Sequence, residues 1–239
     1  MKLKGLVWML ALPLILTACP ASTPTAPPTP TPGPNPNPAP TPAPTPVPGA
    51  TLNVQLSQNF NTASWALGAA TVELRAYVDP NNTAGDIFAS GTVDATGAGT
   101  VALPGEAQGV NSKATHSPTE AASWLNDILN FSCTSNVTSS NPGVKALLAI
   151  RGDFSTNEGG GHLIASKNVT GGSVFDLLTY VTAGVTVSGT ITCGSTSSTV
   201  SLALDPGWNI VETQASNTGA LNVVKRPLSN TVQLTRSTN

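Results

Sequence analysis

The chain has 239 residues, of which only 9% are charged, and ten Lys/Arg against twelve Asp/Glu leave a formal charge of −2. Without a basic stripe to grip phosphates it does not read as a nucleic-acid binder. Its 39% of hydrophobic residues is too high for a disordered chain, and Ser, Thr, Asn and Gly replace charge as the polar filler.

Lys2 and Lys4 precede an apolar run, Leu6 to Leu16, that is too short to span a bilayer as a permanent helix and reads as an export signal. Leu16-Thr17-Ala18-Cys19 follows directly. This tetrapeptide resembles the lipobox of bacterial lipoproteins, in which small residues lead up to an obligatory cysteine. The resemblance implies a signal peptide over residues 1–18 and cleavage before Cys19. It also implies a diacylglyceryl group on the Cys19 sulfur and, often, an acyl chain such as palmitate on the new amino group. Two or more acyl chains hold a protein stably on a membrane, each buried methylene contributing about 0.8 kcal/mol. Pro20 stands where an aspartate is associated with inner-membrane retention, so the expected address is the cell envelope, with the outer membrane or cell surface favoured.

From Pro20 to Pro48, fourteen of twenty-nine residues are proline and none is charged. Proline lacks an amide donor and fixes φ, so the stretch cannot build the interior of a helix or sheet. In polyproline II geometry, at about 3.1 Å per residue, it would reach on the order of 90 Å. Residues 19–50 are therefore expected to be a lipidated, Pro/Thr-rich tether. A proline-rich ligand for a grooved partner is the other reading.

The remainder is expected to be mainly β, an antiparallel sandwich-like architecture. Leu52, Val54 and Leu56 alternate with polar residues. Strands are also expected at Thr71–Val78, Ile87–Val93 and Thr100–Leu103, the last two joined by a hairpin at Ala95-Thr96-Gly97. Residues 51–112 form one β-rich unit in this reading. Ser117-Pro118-Thr119-Glu120 then makes a capping box, and Ala121, Trp124, Leu125, Ile128 and Leu129 recur at helical spacing, which predicts one helix near residues 118–130 inside a connector over 113–143. A second β-rich unit, 144–239, carries expected strands from Val144–Ile150 through His162–Ser166, Val185–Cys193, Thr199–Leu204, Trp208–Glu212 and Leu221–Val224 to Val232–Thr235. Val174–Val181 reads as strand or helix, since Ser173 and Asp176 could cap a helix that Gly184 ends.

The two units echo each other. Val72-Glu73-Leu74 with Tyr77-Val78 matches Phe175-Asp176-Leu177 with Tyr180-Val181, and Ser90-Gly91-Thr92-Val93 matches Ser188-Gly189-Thr190-Ile191. Thr100-Val101 with Leu103 matches Thr199-Val200 with Leu202. Either these are two related β units or the matches are coincidence in Ser/Thr/Gly-rich text. Ile87 to Pro104 is also loosely similar to β-sandwich modules of transthyretin-like or carboxypeptidase-regulatory type, a likeness that implies a fold and no function.

With Cys19 assigned to lipid, Cys133 and Cys193 remain, and an oxidising compartment makes a disulfide between them the expected pairing. Two cysteines with His116 and His162 show no ligand spacing, so no metal is expected, nor any cofactor. Asp79, Asn81, Asn82 and Asp86 form an oxygen-rich loop in which calcium is the minor reading and a turn the major one. No Gly-x-Ser-x-Gly elbow is present, and of the two histidines His162, after Glu158-Gly159-Gly160-Gly161, is the better catalytic candidate, although a hairpin tip accounts for it more simply. No catalytic residue is assigned. Arg151-Gly152-Asp153 matches an integrin-binding tripeptide but reads as a strand end running into a turn. Trp65 and Trp208 are the candidate ligand-contact residues, since an exposed indole can stack on a sugar.

The functional expectation is a non-enzymatic envelope lipoprotein with a structural or interaction role. Its partners would be the membrane, through the N-terminal lipid, and an envelope protein or glycan. An extracytoplasmic ligand- or glycan-binding module is the alternative, and an envelope hydrolase a third class.

Overall fold

The computed structural model describes residues 49–60, 64–76, 85–105, 115–119, 133–149 and 151–237. The strands are β1 (Ala50–Ser57), β2 (Ala70–Arg75), β3 (Ile87–Val93), β4 (Ala98–Leu103), β5 (Thr115–His116), β6 (Cys133–Ser139), β7 (Ala146–Ala149), β8 (Arg151–Thr156), β9 (Gly159–Val169), β10 (Gly172–Val181), β11 (Val185–Cys193), β12 (Thr196–Leu204), β13 (Gly207–Ser216), β14 (Leu221–Arg226) and β15 (Val232–Ser237). The protein is mainly β, and the described residues contain no helix.

Seven strands close on themselves in the order β9-β15-β1-β4-β3-β2-β8 and back to β9. Every pairing in this barrel is antiparallel except β1 with β15. Alternate side chains point inward and fill it, as expected of a barrel this small. Leu52, Val54, Leu56, Val72, Val101, Phe154, Leu163 and Leu234 are all nearly inaccessible. Space is short enough that a Cβ on Gly91 would lie 2.0 Å from the Thr100 carbonyl oxygen. At the β3–β4 turn Gly97 takes φ of 82°, and a Cβ there would meet the Trp65 side chain at 2.6 Å.

The barrel continues into a second sheet through β9, whose later residues Ser166–Val169 pair with β10. Along the same edge of β10, beyond β9, comes β7, and β13 and β14 complete the sheet on the other side. The face of this sheet bearing Tyr180 and Trp208 meets the barrel where β3 begins and just past the end of β4. Trp208 stacks on Phe88 at 5.2 Å, its Nε1 donates to the Pro104 carbonyl (2.8 Å), and the Tyr180 hydroxyl donates to the Gly105 carbonyl (3.1 Å). A separate three-stranded sheet, β12-β11-β6, buries Val187, Ile191, Val200 and Leu202. It is tied to β14 where the Leu221 amide donates to Ser198 Oγ (2.9 Å).

Several expectations change. The closed barrel replaces a sandwich as the central feature, because period-two alternation is common to both and closure depends on the remote pairings β8–β9 and β1–β15. That barrel draws strands from both 51–112 and 144–239. The ambiguous stretch at 174–181 is strand β10, buried on both faces between layers, which is why its apolar residues do not alternate cleanly. Arg151-Gly152-Asp153 lies within β8, and His162 sits inside β9; the turn comes before it, at residues 157–158. Of the helix expected near 118–130, only Pro118 and Thr119 fall among the described residues, where they form a turn with the Thr119 amide donating to Ser117 Oγ (3.2 Å). The rest of that helix lies outside the described residues, as do Cys19, the tether up to residue 48, and Asp79, Asn81 and Asn82 of the oxygen-rich loop.

Candidate functional site

Two charged clusters stand out in a chain this poor in charge. The first is on the outer wall of the barrel. In register, Glu73 of β2 lies opposite Asp153 of β8, which lies opposite His162 of β9, so side chains from three neighbouring strands meet on one face. Asp153 Oδ1 is 2.7 Å from His162 Nδ1, and Asp153 Oδ2 accepts from Arg75 Nε at 2.5 Å. Arg75 also donates to the Gly85 carbonyl (3.0 Å). Partial burial pushes the Asp153 carboxyl up, but the hydrogen bonds from His162 and Arg75, with the Arg75 charge, outweigh it and hold its pKa below the usual carboxylate value.

This arrangement is the base-and-orienter half of a hydrolase triad, with a carboxylate fixing an imidazole. Ser237 of β15 is the register partner of His162; among the residues whose side chains are described, no serine hydroxyl is hydrogen-bonded to that ring. The His162 side chain is 72% exposed, so water is not excluded from it. His116 is elsewhere, in β5 opposite Ala146.

The second cluster is buried on the sheet formed by β10, β13 and β14. Asp176 of β10 and Glu212 of β13 are register partners, 4% and 8% exposed, and Arg226 of β14 reaches both. Its Nη1 donates to Glu212 Oε2 (2.6 Å) and Asp176 Oδ1 (3.2 Å). Gln214 Nε2 donates to Glu212 Oε1 (2.8 Å). With the Asn230 amide turned so that its oxygen faces the guanidinium, Arg226 Nε and Nη2 donate to it at 3.0 and 3.1 Å. Burial pushes the Asp176 carboxyl up; Arg226 opposes this and the Glu212 charge adds to it, leaving a net rise. The geometry is that of a fully engaged structural ion-pair network.

The aromatic candidates are placed differently from a sugar platform. Trp65 is 4% exposed, edge-to-face with Phe154 at 5.0 Å, and donates from Nε1 to the Gly68 carbonyl (2.6 Å). Trp208 is 9% exposed, with Phe88 on its face and Tyr180 5.2 Å away in an edge contact. Stacking on a sugar needs an indole face open to solvent, and neither ring offers one. Cys133 and Cys193 are bonded (S–S 2.06 Å) and are direct register partners of β6 and β11. No cluster of His, Cys, Asp and Glu suited to a metal ion occurs among the described residues.

Sequence reading singled out His162 but missed its partners, Arg75 and Asp153, which lie 78 residues apart and meet only through β2–β8 pairing. Asp176 was visible only as a helix cap and a member of the internal echo, Glu212 only as the end of an expected strand, and Arg226 carried no signal. No family model, curated protein or solved structure matches the chain.

Proposed function

We propose that the chain is a lipid-anchored cell-envelope protein, with a β-rich head held away from the membrane on a proline-rich stalk and a non-enzymatic structural or interaction role. Lys2 and Lys4, the apolar run and Leu16-Thr17-Ala18-Cys19, in that order, carry this reading. The Cys133–Cys193 disulfide supports it, because such bonds persist in oxidising compartments outside the cytosol. The low charge of the head and the inward engagement of its aromatic rings suit a stable display scaffold. The favoured address is the outer membrane or cell surface.

The hairpins β3–β4 and β11–β12 support the idea of two related β units, the second in sandwich-like stacking. Gly91 faces Val101 and Thr92 faces Thr100 in the first, and Gly189 faces Val200 and Thr190 faces Thr199 in the second. The same residue types thus stand in the same register.

The direct test is mass spectrometry of the mature N-terminus after expression in a bacterial host. The expected product begins at Cys19 and carries the mass of a diacylglyceryl group. An intact signal, or a mature chain with an unmodified Cys19, would sink the anchor.

A further inference from the structure

A cleft of about 250 Å³ lies where the β9–β10 and β13–β14 turns come together. The two turns are joined by the Asn217 amide, which donates to the Gly171 carbonyl (2.9 Å). No charged side chain lines the cleft. Val169, Ala215 and Leu221 supply its apolar wall, and Val169 is 43% exposed, one of two large hydrophobic residues so open among those described. Gln214 and Asn222, register partners on β13 and β14, supply two exposed carboxamides.

The buried ion-pair network gives one of those carboxamides a fixed polarity. Gln214 Nε2 donates to Glu212 Oε1 (2.8 Å), and the other Glu212 oxygen accepts from Arg226 (2.6 Å). A carboxylate held by an arginine has no proton to give, so it takes only the NH2 end of the amide. Gln214 Oε1 is left as an acceptor, and it has no hydrogen-bond partner among the described residues. The Asn222 carboxamide also has none there, and it can both donate and accept.

The cleft sorts ligands by their chemistry. Its neutral lining gives a charged ligand nothing to offset desolvation. A bare hexose, with no aromatic ring in the cleft to stack on, only exchanges water hydrogen bonds for protein ones, for a small net gain. An acetamido group brings what these residues match: an N–H, a carbonyl and a methyl. The volume lies below the usual range for drug-sized ligands, about 300–1,000 Å³, which suits one sugar ring rather than a run of peptide.

We propose that this cleft binds a single N-acetylated amino sugar. The amide N–H donates to Gln214 Oε1, the acetyl carbonyl accepts from Asn222 Nδ2, and the methyl lies against Val169. The inference goes beyond the envelope reading and depends on neither the lipid anchor nor the stalk. The experiment is saturation-transfer NMR on the purified full chain, titrated with N-acetylglucosamine and, for comparison, with glucose and N-acetylglycine methylamide. It is repeated on the Asn222→Leu and Val169→Asp variants, each first checked for an unchanged circular dichroism melt. The expected result is saturable transfer to N-acetylglucosamine, strongest at its acetyl methyl, with none to glucose. Both variants should bind about tenfold more weakly, the scale of one lost hydrogen bond. No transfer to the wild-type chain overturns the proposal, as does unchanged binding by both folded variants or equal transfer to glucose. Equal or tighter binding of the methylamide also overturns it and reassigns the cleft to a peptide amide.

Discussion

Replacing Arg226 by methionine tests how far the β10–β13–β14 sheet depends on its buried ion-pair network. The substitution keeps the length of the side chain but leaves Asp176 and Glu212 facing each other, 4% and 8% exposed, with no guanidinium between them. Removing one partner of a buried pair costs about 3–5 kcal/mol. The Arg226 side chain is itself 21% exposed, so the lower end applies. A loss of about 3 kcal/mol corresponds to roughly 6–12 °C in melting temperature for a domain of this size. The cost should also depend on pH. Asp176 already has its pKa raised, chiefly by burial, and Arg226 opposes that rise. Without Arg226 the native carboxyl holds its proton to higher pH than the unfolded one, so between those two pKa values the native state binds more protons and stability falls as pH increases. Urea unfolding followed by circular dichroism at pH 8 and pH 5 should therefore show a large deficit at pH 8 that shrinks at pH 5. Adding Asp176→Asn to the Arg226→Met variant should recover part of the deficit at pH 8. A variant within about 0.5 kcal/mol of wild type at pH 8, the range of an ordinary surface change, would refute the reasoning. So would a deficit that grows on acidification.

Two other expectations concern the disulfide and the barrel wall. Serine at both Cys133 and Cys193 frees a loop of sequence separation 60; the chain-entropy model puts the loss at up to about 4 kcal/mol. Thermal melts with and without a dithiol reductant should converge for this variant and diverge for the wild type. Asp153 works in the opposite pH sense to Asp176: its folded pKa is lowered, so the stability it supplies is present above the unfolded value and disappears as pH falls through the folded one. Asp153→Asn should flatten that acid limb in urea titrations between pH 6 and pH 3. An unchanged slope would show that Arg75 and His162 do not hold the carboxylate in solution.

What was legible in the sequence followed the reach of each interaction. Local alternation marked β1, β4, β11 and β12, because each has one buried and one exposed face, and the turn at Ala95-Thr96-Gly97 was legible from its residue types; in the structure Asp94 accepts from the Thr96 and Ala98 amides there. The β6 strand was missed because it is an edge whose side chains are mostly exposed, so Thr134-Ser135-Asn136 reads as loop. Barrel closure was invisible, since nothing in Val232–Thr235 announces that it will pair in parallel with Val54–Ser57. The same holds for the Arg75–Asp153–His162 group, where His162 was noticed for its residue type and its partners arrive through pairing. The disulfide was legible from cysteine count, once Cys19 was set aside.

The seal between β1 and β15 also orders events in time. Four barrel strands lie within residues 50–103, yet β1 gains its second neighbour only when residues 232–237 arrive. Until then the nascent barrel is an open sheet with an unpaired edge along Val54–Ser57, and closing it means bringing together segments separated by most of the head. Such non-local closure is slow, and an open edge invites pairing with another chain. On the proposed export route, in which the chain would cross a membrane unfolded, the same topology would be an advantage: the barrel could not lock before its last strand had crossed.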